Sequence, residues 1–189
     1  MRALADELTS RGVAVRVSVS RGMAPPALYE ASTILGATNV PGVLDVSRLA
    51  PGTLVVDDSA PHCFEVPAAL ARMRDRGDVA LIEGGRVAVP GDVERRSNRP
   101  PALAPRVQEA TWELLLGRGS NVMACLLSGA LARADRSFFP PSLGASSAAA
   151  CVSAARGFEA LGVEAATPHL GDVADVLQML GWREVRRPG

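Results

Sequence analysis

Side chains able to hold a sugar hydroxyl or an amide gather at the ends of short apolar runs in this sequence. The run Ser32-Thr33-Ile34-Leu35 closes on Gly36, Ala37, Thr38 and Asn39; Thr53-Leu54-Val55-Val56 delivers Asp57, Asp58 and Ser59; the run from Val79 to Ile82 delivers Glu83, Gly84 and Gly85. Glycine and alanine at such tips let a flat ring approach the backbone, while Thr38, Asn39 and Asp57 offer hydrogen bonds suited to a ribose or an amide. Solvated loop ends, with Gly84-Gly85 as a plain tight turn, have the same pattern, and spacing leaves both readings open.

Two further residue types bear on catalysis. His62, in Ala60-Pro61-His62-Cys63, follows a polar tip and is a candidate to donate or orient a proton; the competing reading is an exposed loop histidine. His169, after Pro168, is the weaker of the two histidines. Cys125 lies in Asn121-Val122-Met123-Ala124-Cys125-Leu126-Leu127-Ser128-Gly129, which reads as a helix capped by Ser120. Helical spacing then sets Asn121, Cys125, Ser128, Gly129 and Ala132 on one small, mildly polar stripe. Such a stripe borders a cleft or makes a close helix contact. On this reading Cys125 is too deep in the helix to gain much from its dipole, so a thiolate there needs another cation.

The elements that must position these groups alternate. A helix over residues 2–11 stops at Gly12, and Val13, Val15, Val17 and Val19 alternate as a strand does. A short helix over Ala27 to Ala31 leads into the run ending at Asn39. After the next run a helix is predicted from Pro67 to Arg76. Pro90 to Pro105 reads as a surface connection, and beyond it the pattern turns helical over Val107 to Leu116, Asn121 to Ala134, Ala148 to Leu161 and Asp172 to Leu180. The Phe138 to Pro141 turn reads as a loop anchor. Alternating strands and helices imply a parallel sheet, whose ligands bind outside the carboxyl ends of the strands, where the polar tips stand.

Composition narrows the chemistry. The 189 residues, 48% of them hydrophobic, suffice for a sizeable core, and 20 basic against 20 acidic residues give no footprint for nucleic acid. All the basic residues are arginine, which excludes Schiff-base and P-loop lysines. Three cysteines, Cys63, Cys125 and Cys151, are widely spaced with no CxxC pair, so neither a disulfide framework nor a metal site is expected, and free thiols suit a cytoplasmic protein. No run approaches the roughly 18 apolar residues of a membrane span. A dinucleotide domain usually opens with a strand, a GxGxxG turn and a helix, but no such turn occurs here; the chain reads as starting inside a helix, as if cut after that turn.

At these residues the sequence resembles the aldehyde-forming acyl-[acyl-carrier-protein] reductases and, more distantly, the NAD(P) domains of shikimate dehydrogenase and glutamyl-tRNA reductase. The likeness runs from about residue 2 to about residue 163. Leu54-Val55-Val56-Asp57-Asp58-Ser59-Ala60-Pro61-His62 is similar to a strand ending in aspartate, glycines and a proline followed by lysine, with Asp58 and Ser59 replacing the glycines and His62 the lysine. Ile82-Glu83-Gly84-Gly85-Arg86-Val87 is similar to an Asn-Gly-Gly segment, Met123-Ala124-Cys125-Leu126 to Phe-Ala-Cys-Phe, and Ala155-Arg156-Gly157-Phe158 to a His-Gly-Phe element. The order of the four carries the case.

The resemblance implies an α/β fold: a partial Rossmann-like parallel sheet lacking its first strands over residues 1–95, then a helical C-terminal segment over 96–189 bearing the nucleophile. It implies that Cys125 takes an acyl group from acyl-carrier protein or another acyl thioester, that His62 protonates or orients, and that NADP(H) reduces the thioester to an aldehyde. Gly36, Ala37, Thr38, Asn39, Asp57, Gly84 and Gly85 are the candidate cofactor-binding residues. With the glycine-rich turn missing, NADP(H) is expected to bind weakly or not at all to this chain alone. An uncovered sheet edge is expected to favour self-association. Two alternatives stay open: a non-catalytic binding module with a degenerate Rossmann fold, and a dehydrogenase of the shikimate or quinate type in which Cys125 only packs.

Overall fold

A parallel strand pair needs a crossover between its strands, and the first connections in this chain supply one each. The computed structural model describes residues 2–20, 22–91, 121–134, 136 and 147–182. It is a mixed α/β structure that divides into two compact units, Met1–Ile82 with Leu170–Gly189, and Glu83–His169. The division falls after Ile82 and after His169.

In the first unit a three-stranded parallel sheet has the order β1 (Thr33–Gly36), β2 (Leu54–Asp57), β3 (Ala80–Glu83, its last residue belonging to the second unit). Thr33 is in register with Leu54 and Gly36 with Asp57, so the polar tips of β1 and β2 come level. Helix α1 (Arg2–Ser10) precedes the sheet, and α2 (Val66–Arg76) joins β2 to β3. Helix α2 ends on Gly77, whose φ of 61° is the left-handed conformation of a C-cap and accommodates glycine without strain. Val55 and Leu81 on the strands, and Val79 just before β3, pack with Ala69 and Met73 of α2 in a core that removes them from water. Leu170 and Val176, after the chain returns, are fully buried in the same core.

Burial of the charged Arg72 is compensated in full view: its guanidinium donates to both carboxylate oxygens of Asp78, at 3.1 and 3.0 Å, and to the carbonyls of Val46 and Leu49. The Arg72 bonds hold the Asp78 carboxyl below its usual range. The arginine thereby ties α2 to the short 3₁₀ turn Val46–Arg48 that leads into β2.

In the second unit β4 (Arg86–Ala88) is the centre of an antiparallel sheet, flanked by β5 (Asn121–Met123) and β6 (Glu164–Ala165). Helices α3 (Ala124–Ala134) and α4 (Ala148–Ala160) complete the described part. Helix α4 opens on Ser147, whose hydroxyl accepts from the Ala150 amide at 3.1 Å. A helix of four residues, α5 (Val176–Met179), belongs to the first unit and is capped by Asp175.

Several expectations change. The alternating valines 13–19 join no ladder among the described residues, and Val13, Val15, Val17 and Val19 are all exposed: alternation marks a strand only where a neighbour pairs with it. Asn121–Met123 is a strand, because Met123 pairs with Arg86 and Asn121 with Ala88; the helix starts at Ala124, whose amide donates to the Gly85 carbonyl at 2.7 Å. Cys125 therefore stands in the first turn of α3, at the positive end of the helix dipole, and Asn121 leaves the proposed helical stripe. The segment 96–189, expected to be helical, also contributes two strands, β5 and β6, which flank β4 in an antiparallel sheet. The helix over Val107 to Leu116, the Ser120 cap and the Phe138 to Pro141 turn lie outside the described residues, as does most of the Pro90 to Pro105 connection.

Candidate functional site

The register that levels the ends of β1 and β2 sets Gly36 beside Asp57, and the Asp57 carboxylate folds back over the glycine. A Cβ on Gly36 would collide with Asp57 Oδ1 and lie 2.9 Å from Cys63 Sγ, so only glycine leaves room for the carboxylate. Asp57 is buried, and its oxygens are engaged from within the loop that follows β2. Oδ1 accepts from the Ser59 amide at 3.2 Å, and Oδ2 accepts from the Cys63 amide at 3.0 Å and lies 2.9 Å from His62 Nδ1. Burial favours the neutral acid, but the hydrogen bonds from Ser59, Cys63 and His62 outweigh it and hold the carboxyl below its usual range. Asp57 is thus an anion at neutral pH.

That anion fixes the histidine. The bond to Asp57 makes Nδ1 of His62 the donor. The ring stacks on buried Phe64 with centroids 5.6 Å apart and an interplanar angle of 15°, and the His62 side chain keeps 30% of its surface exposed. The loop is pinned to its neighbours: the Gly42 amide donates to the His62 carbonyl at 3.3 Å, the Leu44 amide to the Cys63 carbonyl at 2.8 Å, and the Asp58 amide to the Gly36 carbonyl at 2.8 Å. The Thr38 amide donates to Ser59 Oγ at 3.0 Å. An aspartate-held imidazole on a rigid loop at the carboxyl ends of parallel strands is the geometry of a general acid or base.

Cys63 is a buried member of this cluster; burial and the neighbouring Asp57 carboxylate push its pKa up to about 12. It stays a neutral thiol and is no nucleophile. Ser59 and Cys63 were not singled out as site residues; the one sequence signal was the Asp-x-Ser spacing, which favours a side chain accepting from the amide two residues on.

The candidate cofactor residues divide. Gly36, Thr38, Asp57 and His62 come together in the first unit, with Ala37 and Asn39 exposed beside them. Gly84 and Gly85 belong to the second unit, in the link from β3 to β4, with Gly85 at φ 74° as a tight turn requires. Gly36 gives its space to an internal carboxylate, and Asp57 spends both oxygens inside its own loop. Both Asp57 oxygens already accept hydrogen bonds within its own loop, so a ribose hydroxyl reaching Asp57 would share an oxygen that is already engaged.

Cys125 also belongs to the second unit, exposed at the start of α3, so it and His62 lie in different units. Beside it, Ala124 lines a mostly apolar groove of about 640 Å³ together with Val87, Ala155, Phe158, Val163 and Ala165. Cys151 is exposed on α4 and is not one of the groove's lining residues. Among the described residues no group of three or more histidine, cysteine or acidic side chains is placed to hold a metal ion, and no helix is long and apolar enough to cross a membrane. No protein-family model, no curated protein and no solved structure matches this chain.

Proposed function

We propose that this chain is a divergent relative of the acyl-carrier-protein thioester reductases that keeps proton-transfer chemistry in its first unit and an acyl-accepting thiol in its second, with little affinity of its own for NADP(H). The observation that carries this reading is the pair His62 Nδ1 and Asp57 Oδ2 at 2.9 Å, at the position where a parallel sheet presents its ligand site. Asp57 orients the ring and stabilises the imidazolium; His62 gives or takes the proton. In the second unit the Cys125 thiolate attacks the carbonyl carbon of an acyl thioester, a new C–S bond forms to Cys125, the old C–S bond breaks, and the donor thiolate leaves and takes up a proton. The apolar groove beginning at Ala124 supports an aliphatic acyl group, and a carrier protein of the cytoplasm is the proposed donor. NADP(H) is assigned no step.

The test is acylation of the purified chain by an acyl thioester, read by intact-mass spectrometry. One acyl group is expected on Cys125 and none on Cys63 or Cys151, and Cys125→Ser is expected to abolish the adduct. Unmodified Cys125 at saturating donor overturns the thiol assignment. Titration with NADPH is expected to give a Kd in the millimolar range or weaker, about 4 kcal/mol of binding free energy or less; micromolar binding contradicts that low affinity.

A second reading, a binding module without turnover, is favoured by one feature: the hydrogen bonds that saturate Asp57 also lock the loop, which serves a fixed recognition surface equally well. His62→Gln separates the two, since loss of a pH-dependent rate supports catalysis and unchanged ligand binding without any rate supports the module.

A further inference from the structure

His169 received little weight in the sequence because it stands alone after a proline, yet it closes the second unit on itself. Glu83 and His169 are the first and last residues of that unit. Their backbones meet, the Glu83 amide donating to the His169 carbonyl at 2.7 Å. Their side chains meet as well, with His169 Nε2 3.3 Å from Glu83 Oε2 in an ion-pair contact and both side chains largely buried, at 15% and 13% exposure.

The surroundings dictate the protonation state. Nδ1 of His169 lies 3.0 Å from the Thr167 carbonyl, which can only accept, so Nδ1 must carry a proton. Nε2 is buried and makes no hydrogen bond, but it lies 3.3 Å from the Glu83 carboxylate, whose negative charge favours a proton there. A carbonyl at one ring nitrogen and a carboxylate beside the other favour the imidazolium over the neutral ring. Arg86 also belongs to this cluster, its guanidinium 3.7 Å from Glu83 Oε2.

We propose that His169 and Glu83 form a pH-operated clasp that holds the two ends of the second unit together in the imidazolium form and loosens when the ring becomes neutral. The sign follows from the partners. Glu83 raises the His169 pKa above the ordinary imidazole value, burial opposes it, the Thr167 carbonyl adds to the rise, and Arg86 subtracts from it. A group raised on folding contributes in full below its unfolded value, near 6.5, and loses that contribution as pH climbs through the raised folded value. Past that point the ring keeps its proton on Nδ1, where Thr167 holds it, and an Nε2 lone pair faces the Glu83 carboxylate. The attraction across 3.3 Å is then lost, while Arg86 stays beside Glu83.

Nuclear magnetic resonance on the unmodified chain tests this without relying on any variant, because only two histidines contribute ring signals. The ring nitrogens of His169 are expected to report both sites protonated at pH 6 and to titrate above the ordinary imidazole value. Amide exchange at Glu83, corrected for intrinsic rates, is expected to lose protection through the same titration, by about tenfold for each unit that the folded pKa exceeds the unfolded one. Amides of β2, in the first unit, should keep theirs. Glu83→Gln and His169→Gln should each remove the pH dependence, the first by returning the His169 titration to or below its ordinary value. Titration of His169 at or below the ordinary value in the unmodified chain overturns the clasp. So does constant Glu83 protection across the titration, and so does a loss shared equally by β2, which would be global unfolding.

Discussion

Adding one methyl group at Gly36 forces the Asp57 carboxylate off its seat, and the consequences reach every donor that carboxylate holds. Gly36→Ala is expected to cost about 1–3 kcal/mol of stability by overpacking, measured by chemical denaturation, and to disorder the His62 ring at the same time. Asp57→Asn tests the charge separately from the shape. The amide nitrogen it introduces faces a donor, so a loss of about 1–3 kcal/mol is expected. The acid limb should change as well: the Asp57 carboxyl is lowered on folding, so its contribution is complete above the unfolded carboxylate value near 3.8 and disappears as pH falls through the lower folded value. The variant should flatten stability against pH in that window, and an unchanged acid limb would show that Asp57 is not the group responsible. That Asp57 stands at a strand end was legible in the sequence, because a carboxylate closing an apolar run is conspicuous. That it faces inward was not, since the seat is made by a glycine one strand away and by amides whose direction depends on the loop. His169 was missed for the same reason: its partner Glu83 lies far along the chain, and nothing in the residues around Pro168 marks the pairing.

Helix and strand identity followed local rules wherever the rule was local. Helix α2, with its glycine stop, and α4, with its serine cap, coincide closely with the stretches predicted at Pro67 to Arg76 and Ala148 to Leu161. The Ser147 hydroxyl satisfies an amide that the first turn of α4 would otherwise leave to water, and Ser147→Ala is expected to lower stability by about 1 kcal/mol, read from the denaturation midpoint at constant slope. A shift much below half that value would mean that the cap contributes nothing beyond solvation. The failures occurred where pairing, not propensity, decides. Val13 to Val19 has the alternation of a strand but no ladder, whereas Asn121–Met123 reads as the start of a helix yet is drawn into a sheet by its register with Arg86–Ala88. No window of neighbouring residues contains that information.

At the scale of the molecule, the balance of 20 acidic and 20 basic residues supplies little long-range repulsion between copies. Among the described residues strand β1 is an edge of its sheet, with Leu35 77% exposed, and the four valines from 13 to 19 are exposed as well. Such an edge invites pairing. Sedimentation velocity is expected to show concentration-dependent association, and Leu35→Lys to shift the distribution towards monomer; a monomer at all concentrations would contradict the exposed edge as a contact. A different consequence arises from the order in which the chain visits its two units. The first unit is discontinuous, because Leu170 and Val176, both fully buried in its core, arrive only after all of Glu83–His169. On a ribosome, the residues of the second unit are therefore complete before those of the first. Until the last part emerges, the half-built first unit presents the apolar bed of Leu170 and Val176 to solvent, and chaperones meeting the nascent chain would find their binding surface there.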